Sequence, residues 1–381
     1  MLKKFQVTNY KNFRTPITID FSKVSGYHFN MDCITNQLIS KMVVYGRNST
    51  GKTNLGHALF DIRNCLFSSP SIIPRNRYFV NADSVERYAY FEYTFQFGDD
   101  EVIYNYKRLH DTSLLEEEMF INGTRIFHCD FIKMETDFSN LSQVSAETIQ
   151  TQRYVDSLLA PTDDESETLE ALPFFRWLTS NAALSSESVL IKLYFFILRM
   201  RGFGVKNPNS LQYFTNFYNT LAEGTKLREF EEFLNVMGVK CKLLLQKNID
   251  GQYQLYFDHN TPIPFYETAS SGTIALARLF SRLENFKNAP LIYLDEFDAY
   301  YHYEMSEKVV RYLKHICPNS QIIFTTHNTN LMSNHLMRPD CLCILSRSGK
   351  LTALCDATHR ELREGHNLEK MYISGEFDSY E

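Results

Sequence analysis

Lys41-Met42-Val43-Val44-Tyr45-Gly46-Arg47-Asn48-Ser49-Thr50-Gly51-Lys52-Thr53-Asn54 decides the reading of this chain. An apolar strand enters a loop bounded by glycines, and the loop opens a helix. Gly46 and Gly51 permit a tight turn, so the amides of Asn48, Ser49, Thr50 and Asn54 can cradle a β-phosphate. Lys52 reaches the β- and γ-phosphates, and the Thr53 hydroxyl is suited to Mg²⁺. The spacing predicts binding of a purine nucleoside triphosphate.

Two later strands repeat the same grammar. Residues 289–296 form an apolar run that ends in the adjacent acids Asp295 and Glu296. A uniformly apolar strand reads as central and parallel, with its chemistry at the carboxyl end. Asp295 there suits Mg²⁺ together with Thr53, and Glu296 suits the attacking water. Residues 321–326 form a second such strand, which delivers His327 to the rim of the same cleft, within reach of a γ-phosphate. Ser270-Ser271-Gly272-Thr273 opens a helix whose N-terminus favours an anion. One chain already has its phosphate cradle. Ser271 and Gly272 are therefore expected to cap the nucleotide of a second copy, giving a homodimer that sandwiches ATP. Asp298 is expected in the turn facing the other subunit.

Strands are expected over 5–13, 17–21 and 41–45, with a helix over 54–66. Hairpins are predicted over 88–109 across Gly98-Asp99-Asp100 and over 118–127 across Asn122-Gly123. The pattern then turns helical, with a small acidic block at 163–167 that reads as a solvated loop or helix start. After strands over 242–245 and 253–257, helices alternate with apolar strands to 354. This gives an α/β fold in three parts. Residues 1–134 are the β-rich N-terminal half with the phosphate loop, 135–240 a helical insertion, and 241–381 the C-terminal half.

Composition narrows the class. The 381 residues carry a formal charge of −6 and include 30 Phe and 23 Tyr, so ring-rich cores are expected without whole-chain attraction to nucleic acid. The basic residues Lys3, Lys4, Lys11, Arg14, Arg75 and Arg77 are scattered. The eight cysteines lack metal-site spacing, and reduced thiols fit a cytoplasmic protein. The greasiest run, 189–200, contains Lys192 and Arg199 and is too short for a membrane span. It reads as a buried or partner-facing helix.

The order of phosphate loop, serine–glycine signature, tandem acids and histidine resembles the ATP-binding-cassette class. It disfavours ring-forming AAA+ ATPases, which lack the signature helix. The opening residues 5–14, above all Asn12-Phe13-Arg14, resemble the start of RecF, SMC and OLD-type ATPases. Asp295-Glu296-Phe297-Asp298 and the tail 368–377 resemble the bacterial ABC-like ATPases of AAA15/AAA21 type, including the ATPase of PARIS-type anti-phage systems. The resemblance implies an ABC/SMC-type P-loop head that hydrolyses ATP with Mg²⁺. It places Arg14 near the nucleotide and calls for a metal-binding glutamine between the first lobe and the insertion. Gln143, Gln150 and Gln152 stand there, and Gln143 is the candidate. Two features depart from the pattern: Thr273 stands where a Gln or Glu is common, and His302 lacks the usual following proline.

The resemblance implies a sensor or regulator of a neighbour-encoded toxic effector. A DNA-repair or DNA-end-binding ATPase and an ATP-dependent assembly scaffold are the alternatives. The sequence leaves open nucleic-acid binding, a phage-derived trigger and any assembly above the dimer.

Overall fold

Alternating apolar residues along β1 (Leu2–Thr8) bury Leu2, Phe5 and Val7, and β2 (Ile17–Asp20) runs antiparallel beside it. The sequence expects the first strand to reach residue 13. It stops at Thr8 because Asn9 and Lys11 adopt left-handed backbone, and the Tyr10 and Phe13 amides close a turn on each other. A short ribbon of β3 (Ile34–Thr35) and β4 (Leu38–Ile39) leads to β5 (Lys41–Tyr45), which is buried throughout. The helix expected over 54–66 is two helices, α1 (Lys52–Leu59) and α2 (Asp61–Phe67). Asp61, the first residue of α2, is anchored: Arg108 Nη1 donates to both of its oxygens at 2.9 Å, and the Tyr106 hydroxyl adds a third bond at 3.0 Å.

The structure, a computed structural model, describes residues 1–67, 78–110, 113–159, 172–204 and 211–381. The acidic block at 163–167, Arg75 and Arg77 lie outside the described residues. Strands β6 (Ala89–Phe97), β7 (Asp100–His110), β8 (Ser113–Ile121), β9 (Thr124–Asp130) and β10 (Glu135–Asp137) complete an antiparallel sheet in the order β10-β9-β8-β7-β6-β1-β2. Both predicted hairpins are present. The second turns at Asn122 and Gly123, both left-handed, as a two-residue β-turn of this sequence requires.

The middle of the chain supplies α3 (Thr151–Leu159), α4 (Phe174–Asn181), α5 (Val189–Arg199), α6 (Leu211–Leu221) and α7 (Lys226–Met237). Helix α5 is the greasy run; its Phe196 ring meets Phe95 edge-on at 5.3 Å and seals one face of the antiparallel sheet. Among the described residues no helix is long and apolar enough to cross a membrane. A short strand unforeseen in this region, β11 (Arg201–Gly204), pairs in parallel with the strand that carries the tandem acids.

Then come β12 (Leu243–Lys247), β13 (Tyr253–Phe257), β14 (Ile263–Pro264), α8 (Phe265–Thr268), α9 (Ser271–Phe280) and α10 (Leu283–Lys287). The chain continues with β15 (Leu291–Asp295), α11 (Tyr303–Ile316), β16 (Gln321–Thr326), β17 (Leu342–Leu345), β18 (Leu351–Ala353) and α12 (Leu368–Ile373). Phe230, Phe233 and Phe280 join α7 to α9 in one aromatic cluster. The second sheet has the order β11-β15-β16-β5-β17-β18 and is parallel except for β18. The carboxyl ends of β15, β16 and β5 therefore share one edge.

Gln321 fastens the two sheets together. Its fully buried side chain accepts from the Leu2 amide at 2.7 Å and donates to the Leu2 carbonyl at 2.8 Å. Glu117 is a second buried polar anchor. It accepts from the amides of Phe174 and Phe175 at 2.6 and 3.0 Å, capping α4, and from the Tyr104 hydroxyl at 2.8 Å. Burial outweighs these bonds and raises the Glu117 pKa from 4.5 to about 7. An acid whose folded pKa is raised stabilises fully below its unfolded pKa and loses that contribution as pH climbs through the folded value. Relative to Glu117→Gln, the wild type should therefore lose stability between pH 4.5 and 7, by on the order of 3 kcal/mol. Denaturant titrations of both proteins across that range measure it; parallel pH curves would refute it.

Candidate functional site

The loop after β5 is held in shape by its own backbone and by the antiparallel lobe. Gly51 is left-handed at φ 105°, and a Cβ there would lie 2.4 Å from the Asn12 amide. Asn12 donates to the Thr50 carbonyl at 3.2 Å and accepts from Asn54 at 2.6 Å. It thus ties the turn after β1 to the end of the loop and to the first turn of α1. Thr50 donates to the Arg47 carbonyl at 3.0 Å, while Asn48 and Ser49 are exposed at the crest. Lys52 is only 4% exposed; its ammonium donates to the carbonyls of Gly46 and Arg47 at 2.7 and 3.2 Å. Burial lowers its pKa, opposed by the nearby carboxylates of Glu296, Asp295 and Asp298. Helix α1 sits close on β15 because Gly56 leaves room for the Tyr293 ring, whose hydroxyl donates to the Lys52 carbonyl at 2.5 Å.

The tandem acids meet this loop directly. Thr53 donates to Asp295 Oδ2 at 2.7 Å, and Thr325 of β16 donates to Asp295 Oδ1 at 2.9 Å. The Thr325 hydroxyl also accepts from the Glu296 amide at 2.8 Å. Glu296 itself is left-handed at φ 45°, a costly state for a residue with a side chain, and turns sharply out of the strand. His327 is exposed one residue beyond β16.

The hard oxygen ligands of Thr53 and Asp295, already within hydrogen-bond reach of each other, suit a small divalent cation that keeps waters and phosphate oxygens as its other ligands. Among the described residues no cluster of three or more His, Cys, Asp or Glu side chains is placed to hold a metal unaided. A Mg²⁺ shared with a nucleotide fits these residues; a metal caged by protein alone does not.

Other expected residues stand apart. Ser270 caps α9 by accepting from the Thr273 amide at 3.2 Å, leaving Ser271 exposed beside Gly272. Neither Ser271 nor Gly272 hydrogen-bonds to the phosphate loop of its own chain. Gln143 is exposed on a turn over Leu141–Val144 beside β9 and makes no hydrogen bond to Thr53 or Asp295. Gln152 instead donates to Asp156 at 2.8 Å. Arg14 is exposed, two residues beyond Asn12.

Asp298 lies in the turn after the tandem acids. It is 6% exposed, with Thr326 donating to its Oδ2 at 2.7 Å, so its side chain is turned inward within its own chain. Burial raises its pKa. Cys341 and Cys343 are buried and free, with Cys341 in the turn before β17.

Sequence reasoning also missed Thr325, which reads as one more strand residue, and gave Asn12 no place in the site. The tail is a further surprise. Arg47 pairs with Glu381, whose other oxygen takes the Tyr372 hydroxyl. A cavity of about 320 Å³ remains between loop and tail, lined by Gly46, Arg47, Thr50, Leu345, Arg347 and Tyr372.

The sequence profile of the AAA_21 family, "AAA domain, putative AbiEii toxin, Type IV TA system", matches residues 41–333, and the chain belongs to that family. No curated protein matches the sequence. Among solved structures, the chain is similar at 16% identity to an Smc head bound to the C-winged helix domain of ScpA (TM-score 0.46, covering 93% of this chain and 97% of that one). It is 17% identical to the SMC head domain from Thermotoga maritima (TM-score 0.43, covering 92% and 98%). An Smc head with an extended coiled coil, bound to the C-terminal domain of ScpA derived from Pyrococcus furiosus, is 15% identical (TM-score 0.45, covering 93% and 96%).

Because Asn12 holds the loop by two hydrogen bonds, Asn12→Ala should weaken ATP binding about fivefold, the equivalent of about 1 kcal/mol. Titration with a fluorescent ATP analogue reads this, with the melting temperature nearly unchanged. Wild-type affinity in the variant would remove Asn12 from the site.

Proposed function

We propose that this AAA_21 family member is an ATPase that closes as a two-fold dimer around two ATP molecules and uses their hydrolysis to control a toxic effector. The observation that carries the reading is the convergence of Lys52, Thr53, Asp295, Glu296 and His327 at adjacent ends of β5, β15 and β16. The exposed Ser271, at the start of α9 beside the half-buried Gly272, supports a cap offered to a second copy. The family description, which names a toxin and a type IV toxin–antitoxin system, supports a role tied to a toxic activity; the place in anti-phage defence rests on the sequence resemblance alone.

In this reading Lys52 exchanges its two backbone carbonyls for β- and γ-phosphate oxygens, losing little geometry because the loop is already formed. Mg²⁺, held by Thr53 and Asp295, supplies charge neutralisation on the phosphates. Glu296 accepts a hydrogen bond from the attacking water and aligns it with the γ-phosphate. His327 touches that phosphate from the next strand. Water adds to the γ-phosphorus as the bond to the ADP oxygen breaks, giving ADP and phosphate. A DNA-directed role draws less support: Lys3 and Lys4 are committed to Glu101 and Glu92 at 2.5 and 3.2 Å. A pure scaffold would have no use for Glu296.

Glu296→Gln should keep ATP binding, slow turnover at least about 100-fold and accumulate an ATP-bound dimer in light scattering. Turnover at the wild-type rate would overturn the assignment. The composite site has its own test. Lys52→Ala spoils the cradle and Ser271→Arg the cap, so each variant alone should be inactive. Mixed, half the dimers are hybrids with one intact site, and about a quarter of wild-type activity should return. A mixture as inactive as its components would exclude capping by a partner.

A further inference from the structure

The buried carboxylate of Asp298 has no task in the mechanism above, and its surroundings show what it is built to hold. It lies in the turn that follows Glu296, against the end of β16. Thr326 donates to its Oδ2 at 2.7 Å, and the same Thr326 hydroxyl accepts from the Asn328 amide at 2.9 Å. The residues on both sides of His327 are therefore locked to Asp298 through one hydroxyl. The carboxylate and the His327 ring are close enough to interact electrostatically.

Two buried polar atoms remain without a hydrogen-bond partner here: Asp298 Oδ1 and the hydroxyl of Tyr45 at the end of β5. Tyr45 lies within the electrostatic reach of Asp298. A buried carboxylate oxygen is costly to leave unpaired. Beside it stand the Asn328 side chain, the Tyr45 hydroxyl and the exposed imidazole of His327, and of these only His327 reaches out to the cleft, on a turn that Asp298 already fixes.

We propose that Asp298 is a positioning residue for His327: Oδ1 accepts one ring N–H, which fixes the tautomer and aims the other ring nitrogen at the γ-phosphate. The inference rests on the reading of His327 as a phosphate contact. An acid behind a histidine sets which nitrogen carries the proton, and a wrong tautomer removes function without disturbing the fold. Asp298 touches neither nucleotide nor water and works only through His327 and its flanking residues.

Four proteins test this: wild type, Asp298→Asn, Thr326→Val and His327→Ala. Thr326→Val preserves volume and cuts the hydroxyl link, so it serves if Asp298→Asn folds poorly. Both variants should lower kcat about 10- to 100-fold with KM for ATP within about threefold. Each combined with His327→Ala should be no slower than His327→Ala alone. ¹⁵N NMR of histidine-labelled protein with AMP-PNP and Mg²⁺, with His327 assigned by its loss in His327→Ala, should show one Nδ1/Nε2 tautomer in the wild type. That tautomer should be mixed or reversed in both variants. Wild-type kcat in Asp298→Asn, defects that add to His327→Ala, or an unchanged tautomer would each overturn the proposal. If the wild type itself fails to turn over ATP, the hydrolysis reading falls, and the tautomer comparison alone still decides the role of Asp298.

Discussion

The Asp295 carboxylate, gripped on one oxygen by Thr53 and on the other by Thr325, is the joint on which the candidate site depends. Those hydroxyls arrive from different elements: one from the helix after β5, the other from β16. The joint exists only because the parallel register sets Leu294 opposite Phe324 and Thr326 opposite Tyr45. A slip of one residue in any of these strands would turn Asp295 or Thr325 to the other face of the sheet. Register at the far end of β16 is fixed by Gln321 on the Leu2 backbone, so the antiparallel lobe holds the nucleotide sheet in phase.

The same lobe shapes the loop from the other side. The turn after β1 leaves the strand early at Asn9, and this brings Asn12 against Gly51 and Thr50. Lys52 is caged by two carbonyls of the loop itself. Its desolvated ammonium lies in the field of three carboxylates that favour its charge.

What could be read from the sequence and what could not follow from how far each signal reaches. β5, β15 and β16 were legible because a strand buried on both faces has to be apolar throughout, and its chemistry has to sit at the end. Hairpins were legible because Asn122 and Gly123 tolerate left-handed backbone. The anchoring of α2 was not, since Asp61 is held by Arg108, 47 residues away. β11 escaped because four residues with two glycines carry no periodicity; pairing with β15 alone makes them a strand. Thr325 and Asn12 act through single hydrogen bonds to distant partners, which no local pattern announces. The inward bond of Asp298 to Thr326 is of the same kind, since its partner stands on another strand.

That inward fold also bears on how a second copy would be felt. The turn that begins at Glu296 continues through Asp298 to Tyr300, whose carbonyl would stand 3.0 Å from a Cβ placed on Gly272. A side chain there would make an unusually tight contact, so the start of α9 rests close against that backbone. In the proposed dimer, α9 meets the partner's triphosphate, so any shift of its first turn presses on the segment that holds Glu296 and, through Asp298, the end of β16. Glu296 sits in this turn in a left-handed conformation, so its aim is set by the backbone of the turn itself. The two nucleotide sites of such a dimer would then be coupled across a handful of packed atoms, without any long-range rearrangement of the fold.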